Sequence, residues 1–206
     1  MQKNSVFSSF IFKFAENFGN QAIAFIINIF LARLLDPSDY GILTILVIFI
    51  NISRVFVQSG LNTALVQRKD VGEREYSSSF YFSLIVALVV YIVLFISAPT
   101  ISNYFETPQL SAVLRVLALI LFPGAFSVVQ FAIVSREMKF KTLMLSSLLS
   151  TLISGIIGIA MAYLGFAYWA LVAQQLSNQI ILTLLLLYKL KWYPKVIFYF
   201  ESLKNF

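Results

Sequence analysis

Six stretches of this chain are long and apolar enough for a helix to cross a bilayer: 9–35, 41–66, 78–98, 110–134, 142–164 and 167–188. A helix rises 1.5 Å per residue, so a hydrocarbon core of roughly 30 Å takes about 20 residues. The third, fifth and sixth stretches contain no charged residue at all. Composition agrees: 60% of the 206 residues are apolar and 12% are charged, against roughly 45–50% and about 25% in soluble domains. A soluble core of this size could not bury that much apolar surface. A soluble enzyme, a disordered chain and a nucleic-acid-binding domain are excluded. The expected fold class is all-α, a polytopic membrane protein. A bundle of six transmembrane helices fills 1–191, and a basic, aromatic tail follows at 192–206.

Missing residue types narrow the chemistry. The chain has neither Cys nor His, which removes disulfides, thiolate nucleophiles, the usual metal ligands and the commonest general base. No metal cluster or phosphate-binding loop is present. Gly155 and Gly158 make no dinucleotide fingerprint, because no strand precedes them and the Gly-x-Gly spacing is absent. No cofactor is expected. The net charge of +6 is read as orienting the chain in a bilayer, with no nucleic acid as partner.

The connections are short and carry helix-start chemistry. Asp36-Pro37-Ser38-Asp39 offers an N-cap, a proline at the first helical position and a carboxylate at the third. Thr107-Pro108 repeats the cap-then-proline pattern. Pro123-Gly124 falls inside the fourth stretch and predicts a kink. Ser150, Ser154, Gly158 and Ala162 recur four apart in the fifth, a pattern that lets helices approach closely.

Lys and Arg divide unevenly between the two sets of loops. One side carries Lys3, then Arg68, Lys69 and Arg74, then Arg136, Lys139 and Lys141, then Lys189, Lys191, Lys195 and Lys204. The other carries only Arg33, against Asp36, Asp39 and Glu106. Both termini are therefore expected on the cytoplasmic side of the membrane. The first stretch is interrupted by Lys13 and Glu16 and does not read as a cleaved signal peptide. Tyr104, Tyr163, Tyr168, Trp169, Tyr188, Trp192 and Tyr193 lie near the ends of stretches and fit interfacial belts.

Function is sought where polar groups sit at membrane depth. Lys13, Asn17, Asn20, Ala24 and Asn28 recur at helical spacing on one face, with Glu16 beside it. Asn51, Arg54, Gln58 and Asn62 form a second stripe, and Gln175, Asn178 and Gln179 add a third group. Asn and Gln can simply join helices, at roughly 0.6–2 kcal/mol per hydrogen bond. Charged groups cost about 2.5–3.5 kcal/mol each on insertion scales and normally face a wet cavity. The cavity-lining candidates are Lys13, Glu16, Asn17, Asn20, Asn51, Arg54, Gln58, Arg115 and Gln175. Antiparallel packing of the first two helices is expected to bring Glu16 within reach of Arg54 or Gln58. Arg115 reads equally as an interfacial anchor or as part of the site.

Leu31-Ala32-Arg33-Leu34-Leu35-Asp36-Pro37-Ser38-Asp39-Tyr40-Gly41 closely resembles the hallmark after the first helix of bacterial polysaccharide exporters. These are the Wzx-type oligosaccharide flippases of the multidrug/oligosaccharidyl-lipid/polysaccharide exporter superfamily. Similar blocks follow in order: Gly60-Leu61-Asn62-Thr63-Ala64-Leu65-Val66-Gln67-Arg68-Lys69-Asp70, Leu114-Arg115-Val116-Leu117-Ala118, Lys139-Phe140-Lys141, and Gly165-Phe166-Ala167-Tyr168-Trp169-Ala170-Leu171-Val172-Ala173-Gln174-Gln175. The resemblance implies export of polysaccharide precursors and no enzyme activity. The implied substrate is an oligosaccharide on a polyprenyl pyrophosphate, turned from the inner to the outer leaflet, with a proton or a sodium ion as the alternative coupling ions.

Exporters of this kind have two similar bundles with the substrate between them, and this chain resembles only the N-terminal one. A second lobe or self-association is the expected partner, beside the lipid-linked oligosaccharide and membrane lipids. A truncated product, a split gene and a half-size transporter would all give this pattern. The alternative role is a transport-incompetent remnant or an accessory membrane subunit of a polysaccharide assembly complex. An intramembrane enzyme is disfavoured by the absence of His, Cys and a carboxylate pair at membrane depth. Within the resemblance, Arg54 with Lys13 is expected to hold the anionic head group, and Glu16 to balance that charge when the site is empty.

Overall fold

A computed structural model describes residues 2–58, 61–67 and 71–195. The described residues are helical and short-looped: α1 (Gln2–Leu34), α2 (Pro37–Gln58), α3 (Leu61–Gln67), α4 (Glu73–Tyr104), α5 (Gln109–Leu117), a 3₁₀ turn (Ala118–Ile120), α6 (Leu121–Arg136), α7 (Phe140–Tyr163) and α8 (Tyr168–Leu190). Five helical segments among them are long and apolar enough to cross a membrane: α2, α4, the run from Gln109 to Arg136, α7 and α8. The chain is a polytopic membrane helical bundle. At 33 residues, about 50 Å at the helical rise, α1 is also long enough. Its Asn, Gln and Glu residues keep it out of the apolar set of five.

Helix boundaries follow local chemistry. At the start of α2, the Asp36 N–H donates to the Asp39 carboxylate at 3.3 Å, and the Asp39 N–H donates to the Asp36 carbonyl at 3.0 Å. The carboxylate at the third helical position thus reaches back to the cap, as in a capping box. At Thr107 the hydroxyl instead donates to the Phe105 carbonyl. The stretch expected as one helix over 41–66 is two elements, α2 and α3, on either side of Ser59 and Gly60, which lie outside the described residues. Residues 196–206 of the expected tail also lie outside them.

Where a kink is expected in the fourth stretch, a 3₁₀ turn at Ala118–Ile120 joins α5 to α6 within one continuous helical run. Proline at position 123 lacks an N–H and its ring crowds the carbonyl four residues back, which is Leu119, inside the 3₁₀ turn. The Pro123 carbonyl accepts from the Ser127 and Thr183 hydroxyls. This segment is also the centre of the bundle. Leu110, Val113, Leu114, Leu117, Ala118, Leu121 and Ala125 are fully buried, packed by Leu46, Ile50 and Val57 of α2 and Ala87, Leu94 and Ala98 of α4. In α5 the buried Leu110, Val113, Leu114 and Leu117 recur at helical spacing, the inward face of an amphipathic helix.

On one flank α8 packs against α6 and α7, and α7 packs in turn against α1. The small-residue face of α7 makes this possible. Ser150, Ser154, Gly158 and Ala162 are all buried. Gly155 sits against Ile27 of α1, and a Cβ on Gly158 would lie 3.0 Å from the Gln174 Cβ of α8. Without interhelical hydrophobic drive in lipid, close backbone approach is what holds such helices. Gly155→Leu should therefore lower the stability of the purified chain by about 1–3 kcal/mol through overpacking. Gly41→Ala, with nothing within 4 Å of the added carbon, should stay within about 0.5 kcal/mol. Thermal unfolding in detergent compares them, and equal melting temperatures would contradict the α1–α7 contact.

Candidate functional site

Because α1 lies along α7, a cleft is left between α1 and α2. Among the described residues, Ile27, Leu31 and Leu35 of α1 and the turn share an apolar cluster with Tyr40 and Leu43 of α2. Away from that turn, α1 and α2 form two rims, and α7 and α8 form the floor. The cleft encloses about 450 Å³. Asn20, Gln21, Ala24 and Asn28 line it from α1, Tyr40, Leu43 and Arg54 from α2, Thr151 and Ser154 from α7, and Leu171, Gln174, Gln175, Asn178 and Gln179 from α8. Tyr40 and Arg54 are 14 positions apart, so this lining extends about 21 Å along α2. A second hollow of about 160 Å³ lies between α2, α6 and α8, lined by Arg54, Val57, Gln58, Leu121, Gly124, Ser127, Phe131 and Gln179. Arg54 and Gln179 border both.

Much of the floor is fixed by hydrogen bonds between helices. The Asn20 amide donates to the Ser147 hydroxyl at 2.6 Å, and its carbonyl accepts from Thr151 at 2.8 Å. The Asn178 amide donates to Ser154 at 3.1 Å and reaches Thr151 at 3.4 Å. On the α6 side, the Gln179 amide donates to Ser127 at 2.8 Å, and the fully buried Gln130 donates to the Thr183 carbonyl at 3.0 Å. Such bonds matter most where no water can replace them.

The lining contains one charged side chain, Arg54, and no carboxylate. Arg54 is half-buried and has no hydrogen bond or ion pair among the described residues. The expected approach of Glu16 to Arg54 or Gln58 is not found. Glu16 is buried and accepts from Lys13, one turn away, at 2.8 Å. The physical reason is the partner helix: α1 turns toward α7, so Glu16 and Arg54 belong to helices that the cleft separates. Of the other expected residues, Asn20 and Gln175 line the cleft, and Gln58 lines the small hollow. Asn17 and Asn51 are exposed and border neither, and the Asn62 side chain lies outside the described residues.

Arg115 has a separate task. Pro99 sits inside α4 and cannot donate to the Phe95 carbonyl. The Arg115 Nε donates to that carbonyl at 3.3 Å, with its guanidinium 4.3 Å from the centre of the Phe95 ring. It borders neither cavity, and its contacts are those of a packing group.

Sequence reasoning passed over Gln21 and Gln174. The signal for Gln21 was available, since it falls four after Asn17 and seven before Asn28 on the same helical face. Gln174 lies four before Asn178, which would have placed it in the same way.

Residues 30–206 match the family described as polysaccharide biosynthesis protein. The chain is 26% identical over 156 residues to the succinoglycan biosynthesis transport protein ExoT of Rhizobium meliloti (strain 1021), covering 76% of this chain and 32% of that protein. It is 24% identical over 157 residues to the teichuronic acid biosynthesis protein TuaB of Bacillus subtilis (strain 168), covering 75% and 32%. Over 115 residues it is 25% identical to the lipopolysaccharide biosynthesis protein WzxC of Escherichia coli (strain K12), covering 53% and 22%. The matched stretch thus spans a third or less of the length of these relatives. No solved structure matches the chain.

The proline–arginine contact is open to test. Arg115→Met should cost about 1–2 kcal/mol of stability. In a Pro99→Ala background, where residue 99 regains its N–H, the same change should cost clearly less. A double-mutant cycle read by thermal unfolding decides, and strict additivity would contradict the pairing.

Proposed function

The chain belongs to the polysaccharide biosynthesis protein family, and on that premise we propose that it forms one lobe of an exporter that flips a polyprenyl-pyrophosphate-linked oligosaccharide across the bacterial inner membrane. In this reading α1 is a sixth span and both termini are cytoplasmic. The cleft between α1 and α2 is one wall of the path, and a second lobe or a second copy covers it. The polyprenyl tail stays in the bilayer while the head group crosses. Rocking of one bundle against the other gives access from each leaflet in turn.

The observation that carries the reading is Arg54. A guanidinium inside a membrane helix is costly unless it is paired or wet. Here it borders two cavities, lacks a carboxylate partner among the described residues and is surrounded by neutral hydrogen-bonding groups. Guanidinium groups pair with phosphate oxygens through two parallel bonds. Arg54 is thus the anion-holding residue. Lys13 is committed to Glu16 and supplies no second cation to the cleft lining.

Surface polysaccharide in cells that depend on a transporter containing this lobe provides the assay. Arg54→Ala should reduce export at least about tenfold, the loss expected from one charge-assisted hydrogen bond, with unchanged membrane abundance. Two-pronged phosphate contact predicts that Arg54→Lys is nearly as harmful. Normal export by an abundant Arg54→Ala protein would defeat this assignment and leave the stripe on α2 a packing feature.

A further inference from the structure

Lys13 and Glu16 border neither cavity, yet they sit just beyond one end of the cleft. Lys13 falls seven positions before Asn20 and eleven before Ala24, so it shares the cleft-lining face of α1. Its ammonium is turned aside to Glu16, one turn on, at 2.8 Å. The two partners are unequally placed. The Lys13 side chain is 46% exposed and that of Glu16 only 9%. Lys13 is thus free to exchange its partner, while Glu16 stays buried one turn before Asn20, which is tied to Ser147 and Thr151 of α7.

Depth brings the pair into relation with Arg54. From the turn at Leu35-Asp36, Lys13 lies 22 positions back along α1 and Arg54 lies 18 positions on along α2, roughly 33 and 27 Å at the helical rise. The two cations therefore stand at similar depth on the two rims. A pyrophosphate has two phosphoryl groups, and each forms its strongest bonds with a cation. Once a phosphoryl oxygen takes over Lys13, Glu16 is left buried without one. On α7, the helix packed against α1, the titratable groups are Lys141 and Tyr163, at its two ends. On α1 the remaining charged residues, Lys3 and Arg33, are more than ten positions from Glu16, and Arg54 lies across the cleft. A buried carboxylate without a partner is stable only in its neutral form. We infer that Glu16 is a proton-binding site coupled to the head group. Binding exchanges the carboxylate on Lys13 for a phosphoryl oxygen, and Glu16 takes up one proton from water. Release returns the proton to water and Lys13 to Glu16. One negative charge enters and one is cancelled, so the charge balances. This coupling rests on the exporter reading above, in which Arg54 takes the anionic end, and it makes the proton the ion that accompanies the head group.

The test uses the full purified chain in detergent micelles with farnesyl pyrophosphate, a soluble polyprenyl probe that carries the anion without a sugar. Calorimetric titration gives the affinity, and repeating it in buffers of different ionisation enthalpy counts the protons taken up. Wild type should take up about one proton more than Glu16→Gln, and its affinity should rise more steeply as pH falls, by up to about tenfold per unit. The probe's own titration is common to both proteins and cancels. At about pH 8, Glu16→Gln leaves Lys13 permanently available and should bind about tenfold more tightly than wild type. Lys13→Met should bind about tenfold more weakly. It should also lose the extra proton, because its Glu16 is already neutral, so the count does not depend on one variant. Adding Glu16→Gln to Lys13→Met should bring no gain. A salt bridge that only braces α1 predicts no tightening in Glu16→Gln.

Equal proton uptake by wild type and both single variants, or a Glu16→Gln affinity at or below that of wild type, overturns the proton site. Arg54→Ala separates the two ideas. If it binds the probe as wild type does, the anion site assigned to Arg54 is wrong. If it weakens binding while the Glu16 and Lys13 variants leave the proton count unmoved, the anion site stands and the coupling is wrong. Absence of binding by wild type overturns both.

Discussion

Hydrocarbon offers no hydrogen bonds, so a polar side chain in this bundle is stabilised by a partner on its own or another helix, or by a wet cavity. The amide–hydroxyl bonds among α1, α6, α7 and α8 are the direct result. Asn20 is held by Ser147 and Thr151, and Asn178 by Ser154. These bonds, with the glycine contacts of α7, commit α1 to α7. That commitment opens the cleft, because a first helix lying along α7 cannot also close against α2. The position of Arg54 on the open side depends on this choice of partner.

The same constraint accounts for the two prolines inside helical stretches. Each removes a donor, and at Pro99 a neighbouring side chain supplies another. That side chain is Arg115, whose guanidinium also lies against the Phe95 ring. Beside Pro123 a 3₁₀ turn forms, and the hydroxyls of Ser127 and Thr183 gather on the proline carbonyl. This segment is the most buried of the five apolar spans. The resulting division is a rigid apolar centre at α5 and α6 and a polar groove toward α1.

The apolar stretches and the α2 cap were legible because their signals are local: run length, and a carboxylate three residues after Asp36. The polar stripes were legible as faces. What each face meets was not, since 3.6-residue periodicity orients a helix about its own axis and says nothing of its neighbour. Glu16 and Arg54 were therefore placed together when each has other surroundings. The evenly poised reading of Arg115 could have been tipped by Pro99, but only by knowing that position 115 of one helix lies beside position 95 of another. The small-residue spacing of α7 indicated close packing correctly. It did not indicate that Gly155 would meet α1 and Gly158, one turn later, would meet α8.

The absence of Cys gives a direct test of whether the α1–α2 cleft is water-filled. A single cysteine at Gln175 would line the cleft, and one at Ile156 would sit on an exposed apolar face of the bundle. Only a thiol in contact with water forms the reactive thiolate at an appreciable rate. In lipid bilayers, a small hydrophilic maleimide should label Gln175→Cys rapidly and leave Ile156→Cys essentially unmodified. If Gln175→Cys is as unreactive as Ile156→Cys, the cleft is closed to water, and the account of Arg54 in a hydrated export path is contradicted.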